Sequence, residues 1–324
     1  MIDLITLIKS GLSDDEVATV VSWNGLQTNS KDGVVFYDNL NTKNLAQQKG
    51  VFIRIETNQK LKVECSLHKY FNETSTGTRS NHDLFTMINA GKAFKHLIAE
   101  KIIPADDLRV YNYEIGINLN LSKNCRTFLD KMKSIGTVGN EKPLYVNPRY
   151  KDERVKTTVF HTHTRKYFKA YDKVFELRDR KRKYIPDGNI LRIEIAYRRL
   201  DKCLAVDFFQ PDNLNKMMES FFRDWRTIRF QQDIITPKGT GRARRTLCLD
   251  IMDKGADAVL EQAKEHHKNG SLKAWEYRNI REFVTKEWDA MKKQIAFIQS
   301  AEEKEFRELL RINHTLLTDD GIRK

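Results

Sequence analysis

The chain has 324 residues, 40% of them hydrophobic and 31% charged, which gives room for a sizeable core and, on length alone, two domains. Its net charge is +13 and its pI about 9.4; a surplus of that size seldom serves the fold and points to a polyanionic partner, nucleic acid first, with an unspecialised basic surface as the plain alternative. There is no apolar run of about 18 residues, the opening "MIDLITLIKSGLSDDEV" has neither a basic n-region nor a small-residue cleavage site, and Cys65, Cys125, Cys203 and Cys248 form no CxxC pair. These features lead us to expect a cytoplasmic protein with reduced thiols, no membrane span and no zinc cluster.

In chain order, period-two alternation predicts strands at 50–57 ("GVFIRIET"), 60–67 ("KLKVECSL"), 110–121 ("VYNYEIGINLNL"), 156–161 ("KTTVFH"), 166–177 ("KYFKAYDKVFEL") and 189–199 ("NILRIEIAYRR"). Helical spacing predicts a helix over 80–101, with Ser80 or Asn81 near its N-cap, and a shorter one over 122–135. This order implies an α+β fold, a mainly antiparallel sheet with helices packed on one face. From about residue 207 the texture becomes helical, interrupted by "TPKGTGRARRT" (236–246), which reads as a linker or loop. The expected organisation is one domain over 1–205 and a mainly helical, basic region over 206–324.

Alternate strand residues point to opposite faces. In 112–119 the apolar face carries Tyr113, Ile115, Ile117 and Leu119, and the polar face Asn112, Glu114, Gly116 and Asn118. In 191–198 Arg192, Glu194 and Arg198 lie opposite the apolar set, and in 61–67 Lys62, Glu64 and Ser66 do. In 167–173 Tyr167, Lys169, Tyr171 and Lys173 share the outward face. A common sheet would gather Glu64, Glu114, Glu194 and Tyr171 among many cations. Converging carboxylates suit a hard divalent cation that offsets phosphate charge, and a nearby tyrosine suits nucleophilic attack on a phosphodiester. The competing reading is a solvated cross-strand charge ladder in "RIEIAYRR".

The motifs also resemble a known family, the gene II/gene X replication initiators of filamentous phages and the related plasmid initiators of rolling-circle replication. "MIDLITL" is similar to that family's "MIDxLxL" opening, and "LKVECSLHKYFN" to its "GSxxKFxxGHN" segment before a "DL" helix start, here Asp83-Leu84. "YNYEIGINL" stands in the place of "SRIDxxxxF", "TTVFHTHTRKYFKAYDKVFEL" resembles "TVYxGxxSRxxxLxxYDKxxEL", and "LRIEIAYRR" resembles "LVRxExRL". The order holds over roughly residues 1–210. The resemblance implies an origin-specific, metal-dependent DNA endonuclease and strand-transferase. Tyr171 would be its nucleophile, Glu114 and Glu194 would be ligands of Mg²⁺ or Mn²⁺ with Glu64 as a possible addition, and Lys173 would sit near the scissile phosphate. Lys169 and Arg192 would bind DNA phosphate. Origin DNA is the implied partner, with host helicase and polymerase behind it. Cys65 replaces a family glycine, Glu114 an aspartate and Asn112 an arginine, and the helical C-terminal half matches nothing in the pattern. Two rivals remain: a mobilisation relaxase using the same tyrosine chemistry, and a non-catalytic origin-binding initiator that needs no carboxylate cluster.

The remaining motifs rank below these. His161 and His163 in "HTHT" have a polar residue between them and fall at a predicted turn, a poor place for a rigid metal site. His266-His267 reads as the polar end of a helix before a glycine stop. "GTGRARR" lacks the GK[ST] of a phosphate-cradling loop. Arg178, Arg180, Lys181, Arg182 and Lys183 are read as a clamp on the DNA backbone rather than a solvated hairpin tip. Trp225 and its aromatic neighbours have the spacing of a helical core face.

Overall fold

The computed structural model describes residues 1–40, 48–146, 155–160, 165–182 and 184–319. His161, His163 and Lys183 lie outside the described residues. In order, the first part of the chain forms β1 (Ile2–Lys9), α1 (Asp14–Asn24), β2 (Gln27–Lys31), β3 (Val34–Asp38), β4 (Phe52–Glu56), β5 (Leu61–Ser66), α2 (Leu67–Thr76) and α3 (Met87–Lys101). It continues with β6 (Arg109–Leu121), α4 (Cys125–Lys131), β7 (Met132–Ile135), β8 (Lys142–Pro143), β9 (Tyr145–Val146), β10 (Val155–Phe160), β11 (Arg165–Asp172), α5 (Lys173–Asp179), β12 (Asn189–Leu204), α6 (Ala205–Phe208) and α7 (Pro211–Arg226). Ten of these strands make one sheet in the order β2-β3-β4-β5-β1-β6-β12-β11-β10-β9. The pairings of β1, β6, β11 and β12 are antiparallel, and the α+β class expected from the sequence is what the molecule shows.

The apolar face is packed by helices because alternate residues of the central strands are large and apolar. Tyr113 of β6 stacks on Tyr197 of β12 at 4.6 Å, Phe208 of α6 meets Tyr113 edge-on at 4.9 Å, and Trp225 of α7 meets Phe168 of β11 edge-on at 5.7 Å. Trp225 is fully buried, the core role its helical spacing predicts.

The chain divides into two compact units, Met1–Arg229 with Glu305–Lys324, and Phe230–Lys304. The contact boundary thus falls after α7 rather than at 205, and the last helix (Ala301–Asp319) returns to the first unit. The second unit holds helices Arg242–Lys254, Ala256–Lys268 and Ala274–Glu282 and a strand pair, Asp233–Ile235 with Ala296–Ile298, around a core of Ile234, Cys248, Ile251, Phe283 and Trp288. Among the described residues no helix is long and apolar enough to cross a membrane.

Several elements depart from the sequence reading, each for a local reason. β1 has the alternation of a strand and becomes the central partner of β5 and β6. The predicted helix over 80–101 begins only at Met87, where the Thr86 side chain accepts from the Asn89 backbone N–H. Residues 122–135 split into α4 and β7, the latter pairing with β8. The predicted strand over 166–177 stops at Asp172, whose carboxylate accepts from the Phe175 N–H at 2.9 Å and starts α5. The predicted loop over 236–246 already turns helical at Arg242.

Candidate functional site

Register builds the site in three rows across β11, β12 and β6. Tyr171 lies opposite Arg192, which lies opposite Asn118; Lys169 opposite Glu194, opposite Gly116; Tyr167 opposite Ala196, opposite Glu114. The alternation that put Glu114, Glu194, Tyr171, Lys169 and Arg192 on one face therefore brings them together.

The contacts run as one chain. The Tyr171 hydroxyl donates to Glu194 Oε1 at 2.9 Å, and Arg192 Nε donates to the same oxygen at 2.5 Å. Lys169 Nζ is 2.5 Å from Glu194 Oε2 and 3.1 Å from Glu114 Oε2, so it bridges the two carboxylates. Arg198 closes the far end on Glu114 Oε1 at 2.9 Å. Behind Glu194, Arg192 reaches Asp3 Oδ2 at 2.6 Å, Asn118 Oδ1 at 3.1 Å and the Asn81 carbonyl at 3.3 Å. Asp3 also accepts from Ser66 at 2.6 Å and from the Asn81 amide at 2.8 Å. Arg192 and Glu194 are 1% and 3% exposed, and Tyr171 is half-buried.

Burial and charge set the protonation states. Burial works to raise the Glu194 carboxyl, but Lys169 and Arg192 outweigh it and bring it down to about 2. Glu114 moves the other way, because burial and the Glu194 charge outweigh its own cations. The Asp3 carboxyl is held far below the usual range: burial opposes this, and the Arg192 guanidinium overrides it. Burial pushes the Tyr171 phenol well above its ordinary value of 10.0, and the Glu194 charge adds to that. At neutral pH the cluster is a protonated phenol donating to an ionised carboxylate.

The other predicted residues are placed as follows. Lys173 opens α5 instead of continuing β11, and its ammonium pairs with Glu176 at 2.8 Å and lies 6.0 Å from the Tyr171 ring centroid. Glu64 is on the expected face but on β5, with β1 and β6 between it and β12; it pairs with Lys62 at 3.1 Å and accepts from Thr6 at 3.3 Å, outside the cluster. Arg178, Arg180, Lys181 and Arg182 are exposed at the end of α5, Arg180 paired with Glu176 at 2.8 Å.

Asp3, Asn81 and Gly116 were not read as site residues. Gly116 had a signal, a glycine in the middle of a strong strand, which marks close approach. A Cβ there would lie 2.8 Å from Glu194 Cγ and 2.9 Å from Arg192 Nη2. Asp3 and Asn81 act across long stretches of chain, and nothing local marks them.

The donor chemistry of Glu114 and Glu194 suits a hard cation, because their Oε2 atoms converge on one point. That point is the seat of Lys169 Nζ, and among the described residues no group of three His, Cys, Asp or Glu side chains could hold a metal ion. A divalent ion would therefore enter only by displacing the ammonium.

No family model matches the chain, and no curated protein matches it. One solved structure, titled the structure of a rolling circle replication initiator protein from Geobacillus stearothermophilus, overlaps 76% of this chain and 89% of its own at 11% identity and a TM-score of 0.35. An overlap at that score assigns neither family nor chemistry.

Gly116→Ala is expected to push Arg192 and Glu194 apart and to cost about 1–3 kcal/mol, the usual range for overpacking, measured by urea unfolding against Gly91→Ala, whose Cβ meets only Leu214 at 3.8 Å. Lys169→Met should cost about 3–5 kcal/mol at neutral pH, because it leaves buried carboxylates short of a cation. The sign with pH follows from Glu194: its folded value, about 2, lies below the ordinary 4.5, so its stabilisation is full above 4.5 and is lost as pH falls towards 2. The gap between wild type and Lys169→Met should accordingly narrow on acidification through that window; a gap independent of pH would count against the bridging role.

Proposed function

We propose that this protein nicks and rejoins single-stranded DNA at a replication origin, with Tyr171 as nucleophile, and so starts rolling-circle replication of a phage or plasmid. The observation that carries the reading is the Tyr171–Glu194–Lys169–Glu114 chain: a phenol in contact with a proton acceptor and flanked by cations, in a protein of net charge +13.

In the proposed reaction Tyr171 Oη attacks phosphorus; the O–P bond forms as the P–O3′ bond breaks. The phenolic proton passes to Glu194, and the departing O3′ takes a proton from water. The 5′-phosphate stays on Tyr171 and the free 3′-OH primes synthesis. After displacement a 3′-OH attacks the phosphotyrosine and returns the phenol. A carboxylate held at about 2 is too weak a base to strip a raised phenol beforehand, so proton transfer accompanies attack. Lys169 and Arg192 hold positive charge beside the forming bond. Glu114 and Glu194 would hold Mg²⁺ or Mn²⁺ in the Lys169 seat, where the ion would offset phosphate charge. Arg192 also lines a cavity of about 330 Å³ with Asn118, Asn120 and His82, a size that suits a nucleotide. Origin DNA would be the partner, with host helicase and polymerase acting after the nick in the cytoplasm.

A second reading, a non-catalytic origin-binding initiator, draws on one observation: every carboxylate of the cluster is already ion-paired and the phenol is held protonated.

The test is nicking of labelled single-stranded origin DNA, with Mg²⁺ or with EDTA. Tyr171→Phe should lose nicking and the covalent adduct more than about a thousandfold, the scale of losing a nucleophile, while binding stays near wild type. A variant that nicks normally sinks the nuclease assignment. Binding by wild type without any nicking favours the second reading. Activity that survives EDTA gives the charge role to Lys169, and activity that stops gives it to the ion.

A further inference from the structure

A second cavity, of about 200 Å³, is lined by Lys69, Arg79, Ser80, Asn81, His82 and Arg182. Its cations are unevenly matched. Arg79 pairs with Glu73 at 3.1 Å, and nearby Lys173 and Arg180 share Glu176. Lys69 and Arg182 have no carboxylate within ion-pair distance among the described residues. Lys69 is half-buried on α2, one residue beyond His68, and the charges acting on it are Asp3 first, then the cations Lys173 and Arg182, and last Glu176.

An ammonium that is half out of water and faced by other cations is unfavourable unless something negative joins it. Burial pulls the Lys69 ammonium down to about 8; Asp3 and, more weakly, Glu176 oppose this without making contact, and Lys173 and Arg182 add to it. No Asp or Glu is among the residues lining the cavity, whereas Ser80, Asn81 and His82 are. A phosphate group has the size, charge and acceptor oxygens for this lining.

We infer that the cavity between Lys69 and Arg182 is a phosphate-binding site, separate from the Tyr171 cluster. Its placement links it to that cluster. Asn81, which lines the cavity with Ser80 and His82, donates to Asp3, which holds Arg192, which holds Glu194. A phosphate seated here is therefore tied through three side chains to the acceptor of the Tyr171 proton. The favoured source is a DNA backbone phosphate flanking the one attacked, which rests on the nicking reading; the anion site itself does not. Of the basic run 178–182, this geometry gives a seated role to Arg182 and leaves Arg180 with Glu176.

The test needs no nicking. The full-length protein is treated at pH 8 with a water-soluble amine-acetylating reagent, and modification of Lys69 is followed by peptide mass spectrometry relative to exposed Lys31. Inorganic phosphate or a short oligodeoxythymidylate without a terminal phosphate is present. Lys69 should react readily alone and be protected by a phosphate source, and Arg182→Gln should weaken protection on the order of ten-fold or more, the scale of a charge-assisted hydrogen bond. Protection by the oligonucleotide at phosphate concentrations where the inorganic ion is ineffective assigns the backbone as source. Equal protection by inorganic phosphate assigns a small phosphate ligand and keeps the site. In parallel, Lys69→Met should lower the slope of log affinity against log salt for single-stranded DNA by about 0.7. No protection by either probe, with an unchanged salt slope in a folded Lys69→Met variant, overturns the inference. Protection that persists in a protein that never nicks keeps this site while sinking the nuclease reading.

Discussion

The Arg192 guanidinium is the constraint on which the site depends. It is 1% exposed, and a charge so buried is tolerated only when its donors are matched. Here they meet Glu194 from its own strand, Asp3 from β1, Asn118 from β6 and the Asn81 carbonyl from the segment before α3. One side chain thus fixes three neighbouring strands and an irregular segment in register. The arrangement needs an empty place in β6, and Gly116, directly opposite Glu194, supplies it. Any larger residue would displace the carboxylate that accepts the Tyr171 proton.

The same interaction shapes the chemistry. Arg192 and Lys169 hold Glu194 ionised, and the ionised Glu194 helps to hold Tyr171 protonated. The two effects oppose each other in the resting protein, because a strong hydrogen bond to a carboxylate is not the same as a reactive phenolate. In the proposed reaction an incoming phosphodiester would change the balance. Its negative charge would compete for Lys169 and Arg192, raise the basicity of Glu194 and make the proton transfer easier at the moment of attack. On that proposal the cluster would become basic when substrate charge arrives.

Much of this was legible in the sequence because strand alternation is local. Given one sheet, period two alone places Glu114, Glu194, Arg192, Lys169 and Tyr171 on a shared face, and β6, β11 and β12 then turn out to be neighbours. The same logic fails for Glu64, which has the right face but sits on β5, with β1 and β6 between it and β12. Face is a property of one strand; distance is a property of strand order, which alternation does not encode. Lys173 fails for a different reason. A helix cap at Asp172 competes with the continuing strand, and the capped turn takes Lys173 to Glu176. Asp3, Asn81 and Lys69 were missed because the groups that act on them come from distant parts of the chain, for Asp3 and Asn81 from 63 to 189 residues away.

The surplus charge can now be located. Asp3, Glu114 and Glu194 are matched inside the cluster by Lys169, Arg192 and Arg198, three against three. The +13 therefore resides outside the cluster, and Arg178, Lys181 and Arg182 at the exposed end of α5, with Lys69 in the cavity, carry part of it. Long-range attraction for a polyanion comes from those unmatched charges and is screened by salt. The matched cluster contributes little to that field, and it presents its cations only to a group that reaches them directly. On the proposed reading affinity and chemistry would fall to different residues, and the charge-balanced cluster could be tuned for proton transfer without weakening a grip on DNA.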